Sequence, residues 1–295
     1  MIILLTNCTI PGTPQPTATE QTTSQAETPS TSPTATQPLP TPTVEEPTVA
    51  VVNGEKIGQF AFEAHLARFL DAQGEVGTLL ATEDAETRTL DDLIARLLQA
   101  QGARAGGFTA DEATVTTRLE QLTAQIGGPE TLAAWMQTYH YTEESFRQDL
   151  QLEIEAAWMR NQITGAVPET AEQVLAREIL FYNEVDAIRV YSQLENGSTF
   201  ESRIENYDPQ NLGYLGWFPR GYLLEIELEE VAFSLQPGEY SQVIETRLGY
   251  HILQVLDHAA DRPLSADARL TLQMHALADW LAQKRTESQI EIFLP

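Results

Sequence analysis

The pattern of apolar and polar positions predicts that the folded part of the chain begins with a β-hairpin. Residues 49–52 form a short apolar run, the dipeptide Asn53-Gly54 favours a tight hairpin turn, and residues 55–57 lead back along the first strand. Apolar residues then recur at helical spacing, which predicts a helix that starts near Gly58. The apolar positions of this helix are Phe60, Phe62, Leu66, Phe69 and Leu70.

The same spacing predicts further helices over residues 90–102, 109–126, 129–139 and 142–164. Thr109 and Glu112 are three residues apart, which predicts a capping box at the start of the second of these helices. The large apolar side chains of the last two helices either form a core or line an exposed apolar cradle, and the sequence leaves both possibilities open. These side chains are Met136, Tyr139, Phe146, Leu150, Ile154, Trp158 and Met159.

The second half of the chain is predicted to mix strands with helices. The expected elements are a helix over 183–195, a helix over 223–235, strands over 240–245 and 250–255, a helix over 265–285 and a strand over 289–293. The helix over 223–235 carries one apolar face, and a Gln-Pro-Gly-Glu sequence ends it. That face consists of Leu224, Leu228, Val231 and Leu235.

Four short pieces of this second half occur in an order that is typical of one enzyme family. They are Leu215-Gly216-Trp217-Phe218 with Arg220-Gly221, then Ala232-Phe233-Ser234-Leu235, then Pro237-Gly238-Glu239 with Ser241, and finally Gly249-Tyr250-His251-Ile252. These pieces resemble the parvulin family of peptidyl-prolyl isomerases, and residues 176–180 resemble the opening strand of that family. The resemblance implies a parvulin-like (FKBP-like βα) domain over residues 171–258, which isomerises Xaa-Pro bonds without a cofactor.

The resemblance also implies a set of catalytic residues. His251 matches the second active-site histidine of the family, Asp208 matches a Cys or Asp beside the substrate carbonyl, and Thr246 matches a hydroxyl that helps to fix the histidines. The pocket for the proline ring is implied to consist of Leu215, Phe218, Leu223, Leu228 and Phe233. Simpler explanations stay open, because a strand histidine is often a structural donor and an aspartate before proline often forms a turn.

The sequence departs from the family pattern in the proposed pocket and in the proposed catalytic set. Leu228 stands where the family commonly has Phe, which makes the slot shallower, and residues 223–230 are one residue longer than usual. Glu178 replaces the first active-site histidine. Either its carboxylate accepts a hydrogen bond from His251 and the site retains some activity, or the domain has become a peptide-binding module.

The beginning of the folded part carries a second resemblance. Residues 49–66 are similar to the start of the N-terminal chaperone domain of SurA-like and PrsA-like foldases. In those foldases the C-terminal segment returns to complete the N-terminal domain. The expected fold class is therefore α+β, with a helical SurA-N-like domain over residues 48–168, an inserted parvulin-like domain, and residues 264–295 completing the helical domain.

Composition argues against several other classes of protein. The chain has 43 acidic and 17 basic residues, and this net charge of -26 disfavours binding to nucleic acid and docking to anionic lipid. Its five histidines are scattered and it has one cysteine, so no set of metal ligands is recognisable. We therefore expect no metal, no cofactor and no nucleic-acid partner.

The N-terminal residues predict an anchor and a tether. Residues 1–8 resemble the end of a bacterial lipoprotein signal, in which Cys8 would be acylated, although Asn7 is unusual there and no basic residue precedes Lys56. We expect a truncated signal, with an accidental match as the alternative. Residues 9–47 are rich in Thr, Pro, Ser and Gln, which predicts a disordered tether.

Together these features predict a lipoprotein foldase that is anchored to the outer side of the cell membrane. Its partners would be unfolded or newly exported polypeptides that contain proline. The alternative function is a holdase that binds unfolded chains through its helical domain without catalysis.

Overall fold

The computed structural model of the protein describes residues 46–76 and 81–294. The predictions for Cys8, for residues 1–8 and for most of the tether lie outside the described residues. No helix in the described part of the chain is long and apolar enough to cross a membrane.

A three-stranded sheet joins the two ends of the described chain. Its strands are β1 (Thr48–Val52), β2 (Glu55–Gly58) and β7 (Ile290–Ile292), in the order β2-β1-β7. The predicted hairpin is confirmed, since Asn53 and Gly54 both have positive φ, at 53° and 87°, as a type I′ turn requires. On its other side, β1 pairs antiparallel with β7, with Ala50 opposite Ile292.

Five helices follow the hairpin in the part of the chain that the structure describes. They are α1 (Gln59–Val76), α2 (Thr82–Ala105), α3 (Glu112–Gln125), α4 (Pro129–Thr138) and α5 (Glu143–Gly165). Apolar residues of the hairpin, of α1 and of α2 form one core, which includes Val52, Ile57, Phe62, Ile94 and Leu97.

Two predictions about these helices are wrong in detail. Asp111, rather than Thr109, caps α3, because its carboxylate accepts a hydrogen bond from the Thr114 amide at 2.8 Å and the helix therefore begins later. Phe60 is largely exposed instead of facing the core, since it lies in the first turn of α1, where Glu46 accepts its amide hydrogen at 2.7 Å.

The proposed apolar cradle is divided between core and partly exposed positions. Phe146 and Leu150 are buried. The other five side chains are half-buried, and they are Met136, Tyr139, Ile154, Trp158 and Met159. The core interpretation is therefore confirmed for Phe146 and Leu150, and the cradle stays a prediction for the others.

A polar cluster lies between α1, α2 and α5. The Asp149 carboxylate accepts hydrogen bonds from His65 Nε2 at 3.1 Å, Arg96 Nη1 at 3.0 Å and the Tyr141 hydroxyl at 2.8 Å, and Arg68 lies 3.7 Å away. Burial alone would raise the pKa of Asp149, but the hydrogen bond from His65 and the positive charges around it lower that pKa well below its usual range. Burial lowers the pKa of His65, despite its hydrogen bond to Asp149.

The second half of the chain forms a four-stranded antiparallel sheet with three helices. The strands are β3 (Thr170–Phe181), β4 (Tyr214–Pro219), β5 (Ile244–Thr246) and β6 (Gly249–Pro263), in the order β4-β3-β6-β5. The helices are α6 (Glu184–Glu195), α7 (Phe200–Ile204) and α8 (Ile226–Ala232). Two apolar clusters cover this sheet, one that includes α6 and α7 and one that includes α8.

Long-range contacts shorten two of the predicted elements. The helix predicted over 223–235 is reduced to α8, and Leu224 is 85% exposed instead of lying on an apolar face. The strand predicted over 240–245 is reduced to β5 and a single bridge from Tyr240 to Gln254. Beside that bridge the Ser241 hydroxyl accepts the Leu253 amide hydrogen at 2.9 Å, so a side chain takes the place of a backbone acceptor.

The last helix, α9 (Ala266–Glu287), returns the chain to the first sheet. Ser265 caps it by accepting the Ala268 amide hydrogen at 3.1 Å. Trp280 packs so close to Gly102 of α2 that a Cβ atom at this glycine would lie 2.8 Å from the indole ring. Helix α9 therefore packs against α2 before β7 pairs with β1.

Candidate active site

A chain of hydrogen bonds links three of the residues that the sequence singled out. Glu178 lies on β3, His251 lies on the adjacent strand β6, and Thr246 ends β5. His251 Nδ1 lies 2.7 Å from Glu178 Oε2, and His251 Nε2 lies 2.9 Å from the Thr246 hydroxyl. The histidine is 1% exposed, so both ring nitrogens find their partners inside the protein.

The partners of His251 determine which nitrogen carries the proton. An ionised carboxylate only accepts hydrogen bonds, so Nδ1 donates to Glu178. In the neutral ring Nε2 then accepts from the Thr246 hydroxyl, which itself accepts the Leu248 amide hydrogen at 3.1 Å. The three side chains thus form a directional chain that ends at the carboxylate of Glu178.

Asp208 lies in the loop between α7 and β4 and is held by the backbone of that loop. Its Oδ1 accepts the Asn211 amide hydrogen and its Oδ2 accepts the Gly213 amide hydrogen, each at 3.0 Å. These bonds, with that from Asn211 the strongest cause, lower the pKa of the Asp208 carboxyl, so it stays ionised near neutral pH.

Gly213 ties this loop to the strand that carries Glu178. Its φ is +64°, and a Cβ atom there would collide with the carbonyl oxygen of Glu178. The Glu178 amide donates to the Gly213 carbonyl at 2.9 Å, so the backbones meet directly beside both carboxylates. This close approach places Asp208 and Glu178 at the same site.

The two carboxylates line an open cleft of about 520 Å³. Its remaining lining residues are Ile179, Leu180, Tyr182, Tyr207, Asn211, Gly213, Tyr214 and Leu215. His251 lies behind Glu178 and is not part of the cleft wall. A ligand in the cleft would therefore meet Glu178 and Asp208 directly, whereas His251 and Thr246 would act on it through Glu178.

The five side chains implied to form the proline pocket gather in one apolar cluster between the sheet and α8. Phe218 is 0% exposed and Leu228 is 5% exposed, so in this structure these two are core residues and not an open surface. Leu215, Leu223 and Phe233 are half-buried, and Leu215 alone also lines the cleft. Arg220 covers part of this cluster, since its guanidinium lies 4.0 Å from the centre of the Phe233 ring.

Glu229 is a structural residue of this region that sequence reasoning missed. Its carboxylate is buried and accepts three backbone hydrogen bonds, from Gly221 at 2.7 Å, Tyr222 at 3.0 Å and Leu223 at 3.3 Å. It thereby fixes the loop that precedes α8. Four acidic residues occur within 225–230, and their spacing gives no sign that Glu225 and Glu229 are the two that are buried.

The described residues contain no group of His, Cys, Asp or Glu side chains that could hold a metal ion. The charged side chains of the cleft wall are the two carboxylates, and Asn211 and three tyrosines are its other polar side chains.

Two protein families match separate parts of the chain. Residues 183–257 match the family described as the PPIC-type PPIASE domain, and residues 39–160 match the SurA-like N-terminal domain. The chain thus combines a PPIC-type domain with a SurA-like N-terminal domain. The candidate cleft is lined partly by the PPIC-type match, through residues 207–215, and partly by residues 178–182, which directly precede that match.

Individual relatives carry foldase names. A protein named foldase protein PrsA from Oceanobacillus iheyensis is 31% identical over 156 residues, which cover 51% of this chain and 48% of the relative. Another PrsA, from Caldanaerobacter subterraneus subsp. tengcongensis, is 26% identical over 237 residues, which cover 70% of this chain and 72% of that relative. The crystal structure of PrsA from Bacillus cereus is 16% identical with a TM-score of 0.45, over 82% of this chain and 87% of that one. The matched region thus spans about half the length of the first of these relatives.

Proposed function

We propose that this chain, which combines a PPIC-type domain with a SurA-like N-terminal domain, is a foldase that isomerises Xaa-Pro bonds in unfolded polypeptides. One observation carries the proposal: Glu178 and Asp208, from a strand and a separate loop, line one cleft, and His251 and Thr246 form a hydrogen-bonded chain behind Glu178. The relatives named foldase support the same function.

The cleft suits this reaction because prolyl isomerisation requires no cofactor and no covalent step. A planar amide has a rotational barrier of about 18–20 kcal/mol, because resonance gives its C–N bond double-bond character and its oxygen partial negative charge. A carboxylate beside that oxygen disfavours the charged resonance form and so favours the twisted amide. Glu178 and Asp208 supply this negative charge, and His251 holds Glu178 in position. Leu215 offers an apolar surface to the proline ring, with Leu223 and Phe233 beside it.

A second function is favoured by a specific observation. His251 is buried and Glu178 replaces the histidine that parvulins place beside it, so the cleft presents no imidazole to a substrate. A holdase that binds unfolded chains without catalysis is compatible with that geometry. The partly exposed apolar side chains of α4 and α5 would then carry the binding.

The two functions are separated by a proline-limited refolding assay on the full chain. We expect the wild type to accelerate refolding, His251→Ala to remove most of the acceleration, and Glu178→His to reduce it, because that change removes one of the two carboxylates. His258→Ala is the matched control, because His258 lies on the same strand but bonds to the Leu235 carbonyl at 2.9 Å, away from the cleft. If no variant accelerates refolding while aggregation of the client is still suppressed, the holdase function is correct.

The proposal extends to the location of the protein. We propose that it acts outside the cytoplasm on newly exported chains, tethered through an acylated Cys8 and the Thr- and Pro-rich segment, with residues 48–168 and 264–295 as the chaperone domain and 171–258 as its insert. Stable anchoring requires more than one acyl chain. Metabolic labelling with a fatty acid should mark the wild type, expressed with a complete signal, but not Cys8→Ser. Equal labelling of both would exclude Cys8 as the anchor.

A further inference from the structure

The lining of the candidate cleft carries negative charge and, among the described residues, no positive charge. Glu178 and Asp208 both line it, and none of the described residues of its wall carries a positive charge. The nearest arginine in sequence, Arg177, faces the other side of β3, because side chains alternate along a strand. There Arg177 bonds to Gln254 Oε1 at 2.9 Å and pairs with Glu201, so its charge is used elsewhere.

The two carboxylates differ in what they offer to a ligand. Both oxygens of Asp208 already accept backbone hydrogen bonds, which stabilise its charge. Glu178 uses Oε2 to accept from His251, and its Oε1 has no hydrogen-bond partner in the part of the chain that the structure describes. Glu178 is therefore the carboxylate that lines the cleft with one oxygen not already hydrogen-bonded to a described residue, while the bond from His251 holds its other oxygen.

Three tyrosines add a second, independent feature that suits a cation. Tyr182, Tyr207 and Tyr214 all line the cleft, and their side chains are well exposed. The ring of Tyr207 is held edge-on against Phe181, with 4.9 Å between the ring centres. Aromatic faces beside carboxylates attract ammonium and guanidinium groups, and they also contact the aliphatic stems of such side chains.

We propose that this cleft prefers Xaa-Pro segments in which a lysine or arginine lies next to the proline, and that Glu178 sets this preference. The inference rests on the proposed function, since it assigns a substrate class to the same site. The net charge of -26 adds a long-range attraction for basic segments, which salt screens. Glu178 adds a short-range preference that depends on this one side chain.

The test compares three peptides that are identical except for the residue before proline, which is Arg, Ala or Glu. For each peptide, kcat/KM for isomerisation is measured by NMR exchange, and the affinity is measured by fluorescence anisotropy. One partly exposed ion pair, with Glu178, predicts that wild type favours Arg-Pro over Glu-Pro by roughly two- to fivefold at low salt, falling at high salt. The salt dependence is measured on wild type alone, so it tests the inference even if a substituted variant does not fold.

The key variant is Glu178→Gln, which keeps the size of the side chain and an oxygen acceptor for His251 but removes the charge. Glu230→Gln is the matched control, because it removes the same charge from an exposed position on α8. We expect the preference to fall toward one in Glu178→Gln and to persist in Glu230→Gln. Equal rates and affinities for the three peptides in wild type, or an equal loss of preference in both variants, would overturn the inference.

The same data separate this inference from the proposed function. If all three peptides are isomerised equally fast, the isomerase function stands and the preference is wrong. If none is isomerised but the Arg-Pro peptide binds more tightly in wild type than in Glu178→Gln, the preference stands and the isomerase function is wrong.

Discussion

The buried carboxylate of Glu229 should be one of the strongest stabilising groups in the isomerase-like domain. It is 3% exposed and accepts hydrogen bonds from three consecutive backbone amides, of Gly221, Tyr222 and Leu223. Replacing it by glutamine keeps the shape of the side chain but leaves one neutral oxygen in place of two charged ones. It also brings an amide donor close to the backbone donors.

The expected loss follows from these contacts. A hydrogen bond to a charged group contributes about 1.5–3 kcal/mol to stability, and a buried donor left without a partner costs about 1–3 kcal/mol. Glutamine can retain one or two of the three bonds, and the loop is half-buried, so water replaces part of what is lost. We therefore predict that Glu229→Gln lowers the free energy of unfolding by about 2–4 kcal/mol.

Urea denaturation followed by tryptophan fluorescence measures this difference, and Glu230→Gln serves as the control. Glu230 is the next residue on the same helix, but it is exposed, so its substitution should change stability by less than about 0.5 kcal/mol. Equal stability of the two variants would refute the reasoning, because the structure would then have assigned the buried carboxylate to the wrong residue.

The remaining predictions concern the polar cluster and the cleft backbone. Asp149→Asn should destabilise the helical half by about 3–5 kcal/mol, because it removes the buried charge that balances its arginine neighbours. Because folding lowers the pKa of Asp149, its charge stabilises the fold above the unfolded pKa near 4. The difference in stability between wild type and Asp149→Asn should therefore shrink in acid unfolding curves as the pH falls below about 4. The pKa of His65 is also lowered on folding, so wild type should lose stability as the pH falls below about 6.5, and His65→Gln should reduce this dependence in denaturation measured at pH values on either side of it. Gly213→Ala should lower the free energy of unfolding by about 3 kcal/mol or more, and Gly216→Ala by about 1 kcal/mol. Both glycines have positive φ, but only Gly213 has the Glu178 carbonyl against it, so similar losses in urea denaturation would contradict this contact.

Local chemistry made some parts of the fold predictable. The hairpin follows from Asn53-Gly54, because a tight hairpin turn requires left-handed backbone conformations and Asn and Gly tolerate these best. The start of α6, which the sequence pattern predicts at residue 183, likewise depends on residues close in sequence, since the Asn183 side chain accepts the Asp186 amide hydrogen at 2.9 Å. In each case the deciding contacts span only a few residues, so a single sequence contains the information.

Other features depend on contacts between distant segments, which local patterns do not contain. Sequence spacing extended α8 to residues 223–235, but Glu229 holds the loop before it in another conformation. The resemblance to parvulins identified Glu178 and His251 as a pair, yet only the structure shows that the histidine lies behind the carboxylate. It likewise shows that Phe218 is closed off from solvent in the core.

The account depends most on whether this cleft isomerises an Xaa-Pro bond. NMR exchange spectroscopy on an Arg-Pro peptide, with a small molar fraction of the full chain, tests this directly because it reports cis-trans exchange without a coupled enzyme. The account predicts exchange peaks with the wild type that weaken strongly in a double variant, Glu178→Gln with Asp208→Asn, that remains folded. Exchange at the uncatalysed rate with folded wild type, or unchanged acceleration in that double variant, would contradict it.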